Sequence, residues 1–182
     1  MNEATELELK RASQIKEAAE ADPDLNTDMI LDLEFLHHAI VAKENIALAV
    51  QRLKRMQAFK KQYGIQLDGD MEQAKRDIAV FFAEHSGLHL ALGALPDGSH
   101  VLCQDHSKFY ASMLNTPEAY AIRFRGLFYF LHAVQHNITA MRAGCHAITD
   151  MKEATWRNFN FKYMRQCAQL VYQKRIHSVP DN

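Results

Sequence analysis

Thr116-Pro117-Glu118, the long apolar-faced run behind it, and the closing Gly144-Cys145-His146-Ala147-Ile148-Thr149-Asp150-Met151 decide how this 182-residue chain folds. Thr116 offers an N-cap hydroxyl, Pro117 suits the first helical position, and Glu118 suits the positive end of the helix dipole. The spacing predicts a helix to about Ala140, with Tyr120, Phe124, Leu127, Phe128, Leu131 and Ile138 on its apolar side. Gly144 ends that unit, and Cys145 to Met151 reads as a buried strand finishing on the acid Asp150.

Working outward, Leu88–Leu95 and Ser99–Gln104 are short apolar runs split by Pro96-Asp97-Gly98, a hairpin with its own turn chemistry. On the other side, a helix is predicted over about Asn160–Tyr172, with Met164, Cys167, Ala168 and Val171 inward. A last strand follows at Arg175–Val179. Strand, helix and strand in alternation imply a parallel pair inside a mixed sheet.

Upstream the pattern is helical throughout. A first helix spans Glu3 to about Ala21 and stops at Asp22-Pro23-Asp24, where Pro23 disfavours helical geometry before it. Asn26 or Thr27 caps a second, with Ile30, Leu33, Leu36 and Ile40 as its apolar positions. A third runs from about Glu44 to Tyr63. Ile46, Val50, Leu53 and Met56 form its stripe, Arg52, Lys54, Arg55, Lys60 and Lys61 cover the rest, and Gly64 suits the position after its end. Ile65–Gly69 reads as a linker and Met71–His85 as a fourth helix. The expected organisation is a helical module over 1–69 and an α/β domain with a mixed sheet over 70–182.

Composition limits the function classes. Seven glycines and four prolines are too few for an all-β sandwich, and 48% apolar with 24% charged residues is globular rather than disordered. Three scattered cysteines without a Cys-x-x-Cys pair suit a reducing compartment. The acidic start and the absence of a long apolar run point to a cytoplasmic protein. Dispersed basic residues and a pI near 6.8 argue against nucleic acid. The near-zero net charge conceals an asymmetry. Residues 1–34 carry three bases and ten acids, a net of −7, whereas 123–175 carry nine bases and two acids, a net of +7. Two faces of opposite sign that attract within one fold are the ordinary explanation; a basic face for an anionic lipid is the functional one.

Four motifs in order resemble the CRAL-TRIO family of lipid-binding and lipid-transfer proteins. They are Leu33-Glu34-Phe35-Leu36 with Ala47–Arg55 and Phe59–Tyr63, the Pro96-Asp97-Gly98 hairpin with Lys108-Phe109, Arg142–Met151, and Arg175-Ile176-His177-Ser178-Val179. They cover about residues 25–182. Where the family has Arg-Ala-Arg this chain has His37-His38-Ala39, and it stops before the family's further strands and gate helix, so the lipid domain is expected to be C-terminally truncated. The resemblance implies a non-enzymatic carrier of a hydrophobic lipid, tocopherol- or retinoid-like or a phosphoinositide, peripheral to membranes and without cofactor. It implies lipid contact by Tyr120, Phe124, Phe128, Leu131 and Ile148, and headgroup or membrane contact by Arg125, Lys174 and Arg175. The competing expectation is a lipid-free interaction module, dimeric through an exposed sheet edge.

Other constellations are weaker. His132 and His136 share a helix face at a spacing that can chelate a metal, yet Ala133 stands where a zinc protease has its glutamate and no third ligand is evident. Asp150 at a strand end is expected to cap a loop rather than catalyse. No catalytic residue or metal ligand is assigned.

Overall fold

The computed structural model describes residues 3–65, 76, 79 and 89–171, with a few side chains inside the later elements excepted. Three helices come first: α1 (Glu6–Glu20), α2 (Asp32–Ala42) and α3 (Ile46–Tyr63). A hairpin of β1 (His89–Ala94) and β2 (His100–Asp105) follows, then α4 (Pro117–Gln135), α5 (Ile138–Ala143), β3 (Cys145–Asp150) and α6 (Phe161–Val171), with short 3-10 turns between. The α/β architecture with an N-terminal helical part is the expected one. The linker beyond Ile65 and the strand at Arg175–Val179 lie outside the described residues, as does the helix at Met71–His85 except for Arg76 and Ala79, which are helical.

Local chemistry explains the boundaries. Thr5 and Glu8 form a reciprocal capping box: the Thr5 hydroxyl accepts from the Glu8 amide at 3.2 Å, and the Glu8 carboxylate accepts from the Thr5 amide at 2.8 Å. Asn26 caps a 3-10 turn (Thr27–Met29), not the second helix itself, which begins at Asp32. There Glu34 Oε2 accepts from the Leu31 amide at 3.0 Å. Gly64 ends α3 in the left-handed region at φ +62°, and the Ile65 amide returns to the Lys60 carbonyl at 2.8 Å. That is a Schellman closure, and it turns Ile65 inward; the residue read as the start of a linker is buried.

The helix expected to reach Ala140 breaks at Gln135. Asn137 accepts from the Ala140 amide at 3.1 Å and starts α5 afresh. An asparagine ahead of the β-branched pair Ile138-Thr139 favours a new cap over a continued helix.

The described sheet has order β1-β2-β3. β1 and β2 run antiparallel, with a register shift between Ala91 and Gly93, and β2 and β3 run parallel from His100↔Cys145 to Asp105↔Asp150. The hairpin closes through Leu95-Pro96-Asp97-Gly98, whose Gly98 amide donates to the Leu95 carbonyl at 2.8 Å. Asp97 Oδ1 accepts from both the amide and hydroxyl of Ser99. β3 is not the buried strand the sequence suggests: all six of its residues are exposed, and among the described strands only β2 pairs with it.

Two apolar cores result, and α3 belongs to both. Ile15, Ala19, Phe35 and Ala39 meet Ala49 and Leu53 in the first. Met56, Phe59 and Tyr63, further along the same helix, pack on the second, built from Ile65, Phe109, Leu114, Phe124, Phe128 and Tyr163. Opposite charges close the seam. Arg142 grips Glu8 with Nε at 2.9 Å and Nη2 at 2.6 Å, and donates to the Glu3 carbonyl at 3.0 Å. The acidic start and the basic later half thus attract within one fold at Arg142.

A candidate ligand cleft and a buried polar cluster

The first turns of α4, the end of α3 and α6 enclose a cleft of about 700 Å³. Tyr63 and Gly64 come from the end of α3, Leu114–Glu118, Tyr120 and Ala121 from the approach and first turn of α4, Arg125 from its next turn, and Lys162 and Gln166 from α6. Polar groups are fixed around it. Tyr120 donates to Asn160 Oδ1 at 3.1 Å, Gln166 Nε2 donates to the Tyr63 hydroxyl at 2.5 Å, and the Lys162 ammonium lies 5.2 Å from the Tyr120 ring centre. Arg125 Nη2 donates to Glu118 Oε1 at 2.7 Å, which neutralises part of its charge. Gln166 Oε1 is buried with no hydrogen-bond partner among the described residues.

The residues expected to contact lipid divide. Tyr120 and Arg125 line the cleft. Phe124 and Phe128 are sealed in the core: Phe124 lies 4.7 Å from Phe59, 4.5 Å from Tyr63 and 5.4 Å from Tyr163 between ring centres. They form the wall behind the cleft, not its lining. Ile148 sits exposed on β3, outside the cleft. The Leu131 side chain, and all of Lys174 and Arg175, lie outside the described residues.

Sequence reasoning did not find Lys162 or Gln166. They are four apart on one face of α6, whereas the expected inward set named Met164, which is exposed; Tyr163 is the residue that is buried. Tyr163 also accepts from Arg123 Nε at 2.8 Å, so its hydroxyl is satisfied in the core.

A second polar assembly lies between α2, α3 and α4. The stripe expected on α2 is rotated by about one residue: Glu34, Phe35, His38, Ala39 and Ala42 are buried, while Leu33, Leu36 and Ile40 are half-buried. α2 buries Glu34 and His38 while Val41 stays exposed, so apolar periodicity alone did not select its inward face. Lys60, expected in the solvated part of α3, is buried as well, and its ammonium meets Glu34 Oε1 at 2.5 Å. Each Glu34 oxygen therefore has one partner, the Leu31 amide or Lys60.

Histidines ring this pair. Burial, aided by the charges of His37, Arg52 and Lys60, drops the His38 imidazole to about 3, so it is neutral, and both its nitrogens lack hydrogen-bond partners among the described residues. Burial also lowers His37 and His132, the latter helped by His136. His132 and His136 do share a face, with their Nε2 atoms 3.1 Å apart. Among the described residues no group of three or more His, Cys, Asp or Glu side chains is placed to hold a metal ion. Asp150 behaves as expected of a loop cap, accepting from the Lys152 amide at 2.9 Å.

The cleft can hold a small amphipathic molecule: two cations and tyrosine and glutamine groups at its polar positions, Leu114, Pro117 and Ala121 at its apolar ones. The buried His38 and His132 rings serve packing. No protein-family model matches the chain, and no curated protein matches it at a significant level.

Proposed function

We propose that this chain is a non-enzymatic binder and carrier of a hydrophobic lipid, tocopherol- or retinoid-like or a phosphoinositide, as its resemblance to the CRAL-TRIO family implies. The observation that carries the reading is the cleft that joins Tyr120 and Arg125 to Lys162. Its volume of about 700 Å³ falls in the range of small-molecule sites. A headgroup with negative charge would meet Lys162 and the exposed side of Arg125. An apolar portion would lie against Leu114, Pro117 and Ala121, gaining about 0.8 kcal/mol per buried CH₂.

The test is extraction of the purified 182-residue chain into organic solvent, with the lipid identified by mass spectrometry, together with native mass measurement of the intact complex. One lipid per chain is expected, with at least a threefold lower ratio in the Arg125→Ala/Lys162→Ala variant. A chain that carries no lipid under any loading condition sinks the proposal.

A specific observation favours a second reading, an interaction module that holds no lipid: β3 is exposed along its whole length, Ile148 included. Size-exclusion chromatography separates the two. A lipid-free dimer supports the module; a monomer with bound lipid supports the carrier.

A further inference from the structure

The segment after β3 carries the most exposed aromatic residues of the described molecule. Trp156 is 83% exposed and Phe161 68%, with Met151 and Met164 also open to solvent. The rings are continuous: Trp156 lies 5.8 Å from Phe159, and Phe159 lies 6.3 Å from Phe161. Large apolar side chains stay in water only at a cost, so an array of this kind marks an interaction site.

The array stands on a fixed base. Buried Asn158, between the two most exposed rings, donates to the Ser107 carbonyl at 2.9 Å and the Phe109 carbonyl at 2.7 Å. Its Oδ1 accepts from the Thr155 amide and hydroxyl, and Phe159 packs on the His106 ring at 5.1 Å. The tips are thus presented by an ordered turn.

Charge identifies the occupant. Lys152, Arg157 and Arg165 are exposed on the same segment, and Glu153 is the one acid between Met151 and Met164. Arg165 is one turn from Phe161 on α6, so aromatic and cation share a face. Lys162 points instead to the ligand cleft. Tryptophan and phenylalanine tips flanked by cations match the boundary between lipid headgroups and acyl chains, where rings insert and cations meet phosphate. A two-fold dimer through this patch would set the same cations against each other.

We propose that the Trp156–Phe161–Met164 ridge, with Lys152, Arg157 and Arg165, docks the protein peripherally on an anionic phospholipid surface. The docking gives the carrier a place to exchange cargo; its purpose rests on the lipid-carrier reading, its chemistry does not.

Trp156 is the sole tryptophan, so its emission reports the ridge directly. The 182-residue chain is titrated with vesicles of phosphatidylcholine alone, or with 30% phosphatidylserine, and binding is measured in parallel by co-sedimentation. A blue shift and co-sedimentation with the anionic vesicles are expected, weak on phosphatidylcholine and falling steeply with added salt. Each cation removed should lower partition about fivefold. Arg157→Glu/Arg165→Glu should therefore lose the preference for anionic vesicles, and Phe161→Ala should weaken binding at least threefold with thermal unfolding unchanged.

No shift with anionic vesicles, or wild-type binding by the charge-reversed variant, overturns the proposal. So does a blue shift without vesicles that grows with protein concentration, which would assign the ridge to a second copy of the chain. Lipid extraction before any vesicle is added scores the carrier reading separately: a lipid-loaded chain that ignores vesicles refutes the ridge alone, and an empty chain that binds them refutes the cargo alone.

Discussion

Lys60→Met isolates the strongest energetic statement the fold makes. The Glu34 and Lys60 side chains are 1% and 4% exposed, and their charged atoms meet at 2.5 Å. Methionine fills the space of the lysine stem but leaves Glu34 Oε1 without a donor, in a site closed to water. Removing one partner of a buried pair costs about 3–5 kcal/mol. With a urea slope of about 2 kcal/mol per molar, the midpoint should fall by roughly 2 M. Lys61, its exposed neighbour, supplies the control, since Lys61→Met should change stability by no more than about 0.5 kcal/mol. Glu34→Leu with Lys60→Met removes both charges, leaving mainly the lost Leu31 amide contact, so the double variant should recover most of the loss. Urea unfolding followed by circular dichroism gives the four corners of the cycle. A Lys60→Met cost below about 1 kcal/mol, or additive single losses, would refute the buried pair.

Three further outcomes follow from local geometry. Arg142 holds the Glu8 carboxyl down at about 2, against 4.5 in the unfolded chain. A depressed carboxyl pKa contributes stability that is complete above about pH 4.5 and is lost as pH falls toward 2. Glu8→Gln should flatten that part of the acid limb in pH-dependent thermal melts, and Arg142→Ala should flatten it likewise while lowering the melting midpoint at pH 7. Gly98 sits at φ +85°, where an added Cβ would come 2.2 Å from Thr139 Cγ2. Gly98→Ala should lose roughly 2–3 kcal/mol in urea unfolding, more than Gly93→Ala, which has φ +102° but open space around it. Asn158→Ala leaves the Ser107 and Phe109 carbonyls without its amide, and should cost about 2–4 kcal/mol while exposing the Trp156 turn to limited proteolysis.

Much of the fold was legible because short-range chemistry carried it. Thr116-Pro117-Glu118 placed the start of α4, Gly64 the end of α3, and Pro96-Asp97-Gly98 the hairpin, each by a mechanism confined to a few residues. What failed depended on tertiary partners. Lys60 and Lys61 are indistinguishable in sequence, and only the carboxylate on another helix decides which is buried. The inward face of α2 failed for the same reason, although Glu34 at capping-box spacing from Leu31 was a visible clue. Asn137 was readable as a cap and was passed over for the longer apolar period. In the cleft, Tyr120 and Arg125 were pointed to by the family resemblance, while Lys162 was not, since the approach of α6 is set by packing around Tyr163.

Helix α3 has a consequence for how the chain comes apart. Ala49 and Leu53 at one end and Phe59 and Tyr63 at the other bind it to separate apolar clusters through one continuous rod. Fraying from either side strips contacts from the same helix, so the loss of one cluster weakens the other. The helical start and the sheet-bearing remainder should therefore melt in a single cooperative step. Severing the rod near Met56 would leave each cluster with its own residues but uncouple the two, and the single step should then split into two transitions.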